Sequence, residues 1–256
     1  AEAYYRLEDD EQALIQYHIA SKNKQIPFYN RILLRIASLA YKHKDYNTAL
    51  AHYTQLKESA SNKKETYYAL EGIMKTNDAL QHYEEVSKAA SQIINQGNIT
   101  VNATNQAALY LGKTAMKQAK YEEAYEQFKR IVESGKDMYG AEAQYLIAYM
   151  DYQTGKFKES LEALFILTKQ FTEYTDWTNQ GFLLMADNYI ALHEIFQARA
   201  TLQSIIENAT DTTLVSTAQQ KLQQLIQQIE ADSLAQAQST PTQPLQDEDN
   251  EFKTLE

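Results

Sequence analysis

A small residue followed four positions later by an aromatic or large apolar one recurs along this chain at a nearly fixed period. The pairs are Ala13/Tyr17, Ala49/Tyr53, Val86/Ala90, Ala124/Phe128, Ser160/Leu164 and Ala198/Leu202, spaced 36, 37, 38, 36 and 38 residues apart. The third pair is the weakest of the series. Residues four apart share one helix face, so each pair places a close helix crossing beside a groove-filling side chain. Twelve residues earlier stands a second series, Ala1, Ala37, Met74, Gly112, Ala148 and Ala186, mostly small again. This predicts two helices per period, crossing at these two series. Three residues before each small residue lies an aromatic or apolar one, Tyr46, Tyr83, Tyr121, Phe157 and Ile195, where a short turn hands over to the second helix. Asp10 breaks that series.

The stretches ALYLGKTAMKQAKYEEAYEQF and QYLIAYMDYQTGKFKESLEALF resemble tetratricopeptide (TPR) repeats, whose pattern runs large, Leu-Gly, Tyr, Gly-x-Tyr, Ala, Phe over a helix-turn-helix unit of about 34 residues. Leu111, Gly112, Tyr121, Ala124 and Phe128 carry the pattern in the fourth unit, and Ile147, Ala148, Gly155, Phe157 and Leu164 in the fifth. The resemblance covers roughly residues 1–210. It departs from the family in its longer period and in lacking the proline that often closes a repeat. It implies an all-α fold, a right-handed α-α superhelix of about six helix pairs, and a function in protein binding. The texture of QYLIAYMDYQTGKFKESLEALFILTKQF is similar to bacterial cell-envelope TPR proteins, such as the Tol-Pal accessory and outer-membrane-assembly lipoprotein groups. That implies a segment of a larger bacterial protein, periplasmic or envelope-associated rather than cytoplasmic.

Stacked pairs expose an apolar flank at each end of an array, so ends need caps. Over 211–236 the chain places Ala218, Leu222, Leu225 and Ile229 on one face and glutamines on the others, which predicts a C-terminal capping helix. Residues 237–256 hold two of the three prolines and a run of acids, and read as a disordered acidic tail. At the front, Ala1 falls inside a first helix. The first repeat is therefore expected to be truncated, with further repeats upstream.

Composition narrows the chemistry. Lys+Arg total 24 against 34 Asp+Glu, a formal charge of −10, which argues against a nucleic-acid partner. No apolar run approaches the roughly 18 residues of a membrane span, so no direct insertion is expected of this segment. Seven glycines and three prolines are too few turn and φ > 0 residues for a sheet-rich fold with many tight hairpins, so nearly all helix is expected; so few glycines also leave no phosphate cradle, and cysteine is absent. The five histidines form no HExxH and no i, i+4 pair. Ser61 and Lys64 match S-x-x-K, but without its partner motifs. The expectation is a protein with no metal, no cofactor and no catalytic residues.

In TPR arrays the first helix of each pair lines the concave surface. Carried onto this sequence, the resemblance puts Tyr41 and Lys42, Lys113 and Lys117, and Tyr145, Tyr149 and Tyr152 in the groove, with Leu109 beside them. The last three tyrosines fall at i, i+4 and i+7, one aromatic stripe of large contact area with polar tips. The functional expectation is a groove for a peptide or partner protein, with tyrosine anchors and lysines meeting a carboxylate. Packing of the tyrosines within a tight superhelix, beside solvated lysines, is an equal rival. A scaffold or adaptor is the first hypothesis. The alternative is a homo-oligomer that dimerises or extends through its open N-terminal edge.

Overall fold

The computed structural model describes residues 1–97 and 100–239, with side chains as far as residue 234. Among the described residues there are thirteen α-helices and no strand. Twelve form six antiparallel pairs: α1 (Glu2–Arg6) with α2 (Asp10–Ser21), α3 (Tyr29–Lys42) with α4 (Tyr46–Ser59), α5 (Lys63–Ala79) with α6 (Tyr83–Gln96), α7 (Val101–Lys117) with α8 (Tyr121–Ser134), α9 (Met138–Gln153) with α10 (Phe157–Gln170), and α11 (Thr175–Ala191) with α12 (Ile195–Asn208). The last helix, α13 (Thr212–Ser239), packs on α12. The tail expected over 237–256 lies outside the described residues from 240 onward.

The sequence period is the structural period. Ala13, Ala49, Val86, Ala124, Ser160 and Ala198 are all fully buried, as are Ala37, Met74, Ala148 and Ala186 of the first-helix series. The large members Tyr17, Phe128, Leu164 and Leu202 fill the grooves beside them. The residues three before each small one, Asp10 included, begin the six second helices. Side-chain caps fix several starts, since Asp9, Asp45, Asn62, Thr100 and Asp137 each accept a hydrogen bond from the amide three residues on.

Between the helices of every pair the backbone makes the same turn. Glu8, Lys44, Gln81, Ala119, Gly155 and His193 all take the left-handed conformation, with φ between 59° and 77°. The next residue's amide then bonds the carbonyl five positions back, as in Asp45 to Ala40 at 2.9 Å and Lys156 to Asp151 at 2.8 Å. Only one of the six positions is glycine. The other five are made by residues that carry a Cβ, so the few glycines, too few for a sheet-rich fold, do not limit the left-handed turns between helices.

Consecutive pairs stack by second helix on first, and successive first helices also touch, α3 with α5, α7 with α9 and α9 with α11. The first helices thus lie on the inner, concave side and the second helices on the outer side. The largest apolar cluster runs through α7 to α11, around Phe128, Leu164, Leu167 and Phe171. The front is held by smaller separate clusters, and α1 buries no residue. No helix among the described residues is long and apolar enough to cross a membrane.

Candidate functional site: the concave face

Tyr145 and Tyr149 stack on α9 with ring centroids 6.2 Å apart and planes 19° from parallel. Trp177, the sole tryptophan, leans on Tyr145 from α11 at 5.5 Å. All three are half-buried and pack against the main apolar cluster. Tyr152 does not extend this stack. It packs at 5.6 Å against Phe157, the first residue of α10, as Tyr41 packs at 5.5 Å against Tyr46 of α4. Both therefore belong to the turn of their own pair as much as to the groove.

The lysines have acidic partners of their own. Lys113 pairs with Glu142 of α9, and Lys117 pairs at 2.9 Å with Asp78 of α5. Lys42 pairs at 2.6 Å with Asp10, where His43 joins at 3.1 Å. Lys113 and Lys117 thus tie α7 forward to α9 and back to α5. Glu142 is almost wholly buried, and a buried carboxylate without a counter-charge is costly, so Lys113 serves the fold. Two further pairs continue the ladder, Lys75 with Glu71 and Lys221 of α13 with Asp187 of α11, both at 2.6 Å.

Leu109 leaves the expected set: it is 3% exposed, in the core cluster shared with α9. In its place the structure brings forward residues that sequence reasoning passed over. Tyr110 is pushed above the usual phenol range first by burial and then by Asp78, with Tyr41, Glu142 and Glu71 also near. Tyr67 is raised by burial and then by Glu71, and Tyr139 of α9 lies close enough to Glu71 of α5 to be raised by it as well. Burial, then Tyr149 and Asp187, likewise raises Tyr145. The Tyr67 hydroxyl donates to Gln106 at 3.5 Å. One signal did exist in the sequence: Glu142 is a lone acid in the small-residue run Gly140-Ala141-Glu142-Ala143, which marks a charge on a packed face.

The concave face is thus a strip of aromatic rings and neutral hydroxyls between ion pairs that largely cancel. It offers apolar contact and directed hydrogen bonds, and it holds its own charges in check.

Six stacked hairpins with first helices inward define a class of helical solenoid. The α3 to α4 unit, residues 31–62, matches the family model described as Tetratricopeptide repeat. The chain is similar in structure to a tetratricopeptide repeat protein from Parabacteroides merdae, at 15% identity and a TM-score of 0.67 over 94% of this chain and 91% of that one. It is also similar to MamA (12% identity, TM-score 0.55, 73% and 98% covered) and to YrrB, a TPR protein with an unusual peptide-binding site (18%, 0.53, 80% and 97%). No curated protein matches the chain in sequence. The chain thus has the fold of these tetratricopeptide-repeat solenoids, and its residues 31–62 match the repeat in sequence. Proteins of this fold commonly mediate protein–protein interaction and are generally non-catalytic.

Proposed function

We propose that this protein is a non-catalytic scaffold that binds a peptide or a partner protein along its concave face. The observation that carries the reading is the Tyr145–Tyr149–Trp177 stack, three half-buried rings presented by two adjacent first helices. Aromatic rings give large contact area at small entropic cost, and these three pack on the main apolar cluster while staying partly exposed. Tyr41 and Tyr152 extend the contact at the turns. Lys42, Lys113 and Lys117 act second, because each meets a partner carboxylate only by exchanging the acid it already holds. The chain's likeness in fold to YrrB, a TPR protein with an unusual peptide-binding site, supports the same direction. So does the texture of the fifth repeat, which favours an envelope setting.

Peptides selected from a displayed random library against the full chain test this. Concave binders should change Trp177 emission, and Tyr149→Ser should weaken them by at least about tenfold, a loss typical of an aromatic anchor. Circular dichroism should show the fold intact. Binders that leave Trp177 silent and ignore Tyr149→Ser would refute the concave reading. Self-association is the second reading, favoured by Leu7 and Tyr4, exposed at 76% and 40% on the front pair. Light scattering over a concentration series decides it, since a chain that stays monomeric removes that reading.

A further inference from the structure

The six repeats serve as internal controls for one another, because the same register position recurs in every second helix. Five residues after the small residue stand His18, Thr54, Ser91, Lys129 and Gln203, but in α10 the position is Phe165. Two residues before it stand Glu11, Asn47, Glu84, Glu122 and Lys158, but in α12 it is Phe196. Phe165 is 51% exposed and Phe196 83%. Their counterparts are polar because these positions face water on the outer side. Only the last two pairs put phenylalanine there.

The outer side is also open at this place. Between α2 and α4 the rings of His18 and His52 meet at 5.7 Å, and between α4 and α6 Lys57 donates to Gln92 at 2.8 Å. Between α10 and α12 there is instead a groove of about 540 Å³, walled by Phe165 and Ala200 with Phe182, Met185 and Leu214 below. Ala200 is shared with a second cleft of about 620 Å³ on the other flank of α12, bounded by Phe196 and by Leu222 of α13. The two make one apolar surface draped over α12. A single charged side chain lines it, Arg199, which has no ion-pair partner among the described residues. At that register the other repeats carry Leu14, Leu50, Ser87, Tyr125 and Leu161. The guanidinium is thus a departure from the repeat, in a chain of net charge −10.

We propose that the outer surface formed by α10, α11, α12 and α13 docks an acidic amphipathic helix of another protein, its apolar stripe on Phe165, Phe182 and Phe196 and a carboxylate on Arg199. Charge complementarity selects the acid, because Arg199 is the one charge the surface presents. A helix is selected by backbone accounting. The walls are helices whose own amides are paired, so they offer no strand edge. An extended segment would bury unpaired amides against a lining whose few polar side chains, such as Asn179 and Asn208, cannot match them. This surface is independent of the concave face.

A displayed library of random 16-residue peptides, selected against the full chain, tests the assignment. The expected binders carry Leu, Ile, Phe or Met at i, i+3 or i+4, and i+7, with Asp or Glu beside the stripe. Phe165→Ser and Phe196→Ser should each weaken them by at least about tenfold, and Arg199→Glu by a similar factor. Tyr149→Ser should leave them unchanged, which separates this surface from the concave one. Phe196 is so exposed that its replacement should not move the melting temperature. The proposal is overturned if binders survive both phenylalanine substitutions, if Arg199→Glu has no effect, or if no helical binder emerges. It is equally overturned if a synthetic peptide of residues 240–256 displaces the selected helices, because the surface would then belong to the chain's own C-terminal segment.

Discussion

A β-carbon in the left-handed region costs an L-residue roughly 1–2 kcal/mol, and Lys44, Gln81, Ala119 and His193 each carry that cost at the turn where Gly155 does not. Glycine there relieves the strain and gives back part of it as chain entropy, about 0.5–1 kcal/mol. Replacing all four by glycine should therefore raise stability by about 2–4 kcal/mol, since the sites are far apart and add. Gly155→Ala should lower it by about 1 kcal/mol. Urea titration of the variants measures both. Close approach gives the opposite lesson at Gly112, where a β-carbon would fall inside the buried ring of Phe128. Helix propensity alone favours Gly112→Ala by about 1 kcal/mol. A net loss of about 1–2 kcal/mol in the same titration would show that overpacking wins. Gly135→Ala, with open space around it, should stay within about 0.5 kcal/mol of the parent. The register of small and large residues was legible in the sequence because each repeat states it again. The place of the turns was legible from the same register, but their left-handed conformation was not, because four long side chains and an alanine occupy a conformation whose usual marker is glycine.

At the scale of elements, ion pairs add to a small apolar cluster at the front pair, where the later pairs share a larger apolar mass. Glu2 accepts from the Tyr17 hydroxyl at 2.7 Å and pairs with Arg31 at 2.8 Å, which joins α1 to α2 and α3. The Tyr17 bond, ahead of Arg35 and Arg31, holds the Glu2 carboxyl below its ordinary value of 4.5, and in turn Tyr17 is pushed up to about 12, mainly by burial. Lys42 holds Asp10 below 3.8. A lowered carboxyl adds stability above its unfolded value and loses it as pH falls through the folded one. Acidification from about pH 5 to 3 should therefore loosen α1 to α3. Asp151, in the fifth pair, runs the other way. Burial raises it above 3.8, so its protonation relieves a desolvation cost over the same range. Amide NMR through an acid titration should show signals of α1 and α2 lost before those of α9 and α10; simultaneous loss would mean these carboxylates do not set the order. None of these ties was visible beforehand. Helix periodicity reports which face a residue takes, whereas Glu2 with Arg31, or Lys117 with Asp78, join faces about one repeat apart in the chain.

For the molecule as a whole, stability is a sum over neighbouring interfaces, and that makes the two ends separable. The cap illustrates it. Leu214, Ala218 and Leu225 of α13 cover Ala198, Leu202 and Ile205 of α12, in a cluster that also reaches Ala186 of α11. The cap was legible as a one-sided helix because its apolar spacing of four, three and four stands out among glutamines. What it covers was not, since that depends on which flank of the sixth pair stays open. Two buried leucines are worth about 3–6 kcal/mol against water, reduced by the cost of ordering the helix. A chain ended after Asp211 should thus lose about 3 kcal/mol, and the loss should be local. Hydrogen exchange should accelerate through α11 and α12, fade across α9 and α10, and leave α3 and α4 at the parent rate, because no apolar cluster carries the change that far. If α3 and α4 accelerate equally, the repeats unfold as one unit and the neighbour sum fails. The same comparison bears on the outer surface, whose second cleft is walled by Leu222 and would vanish with the cap while the concave tyrosines stay in place.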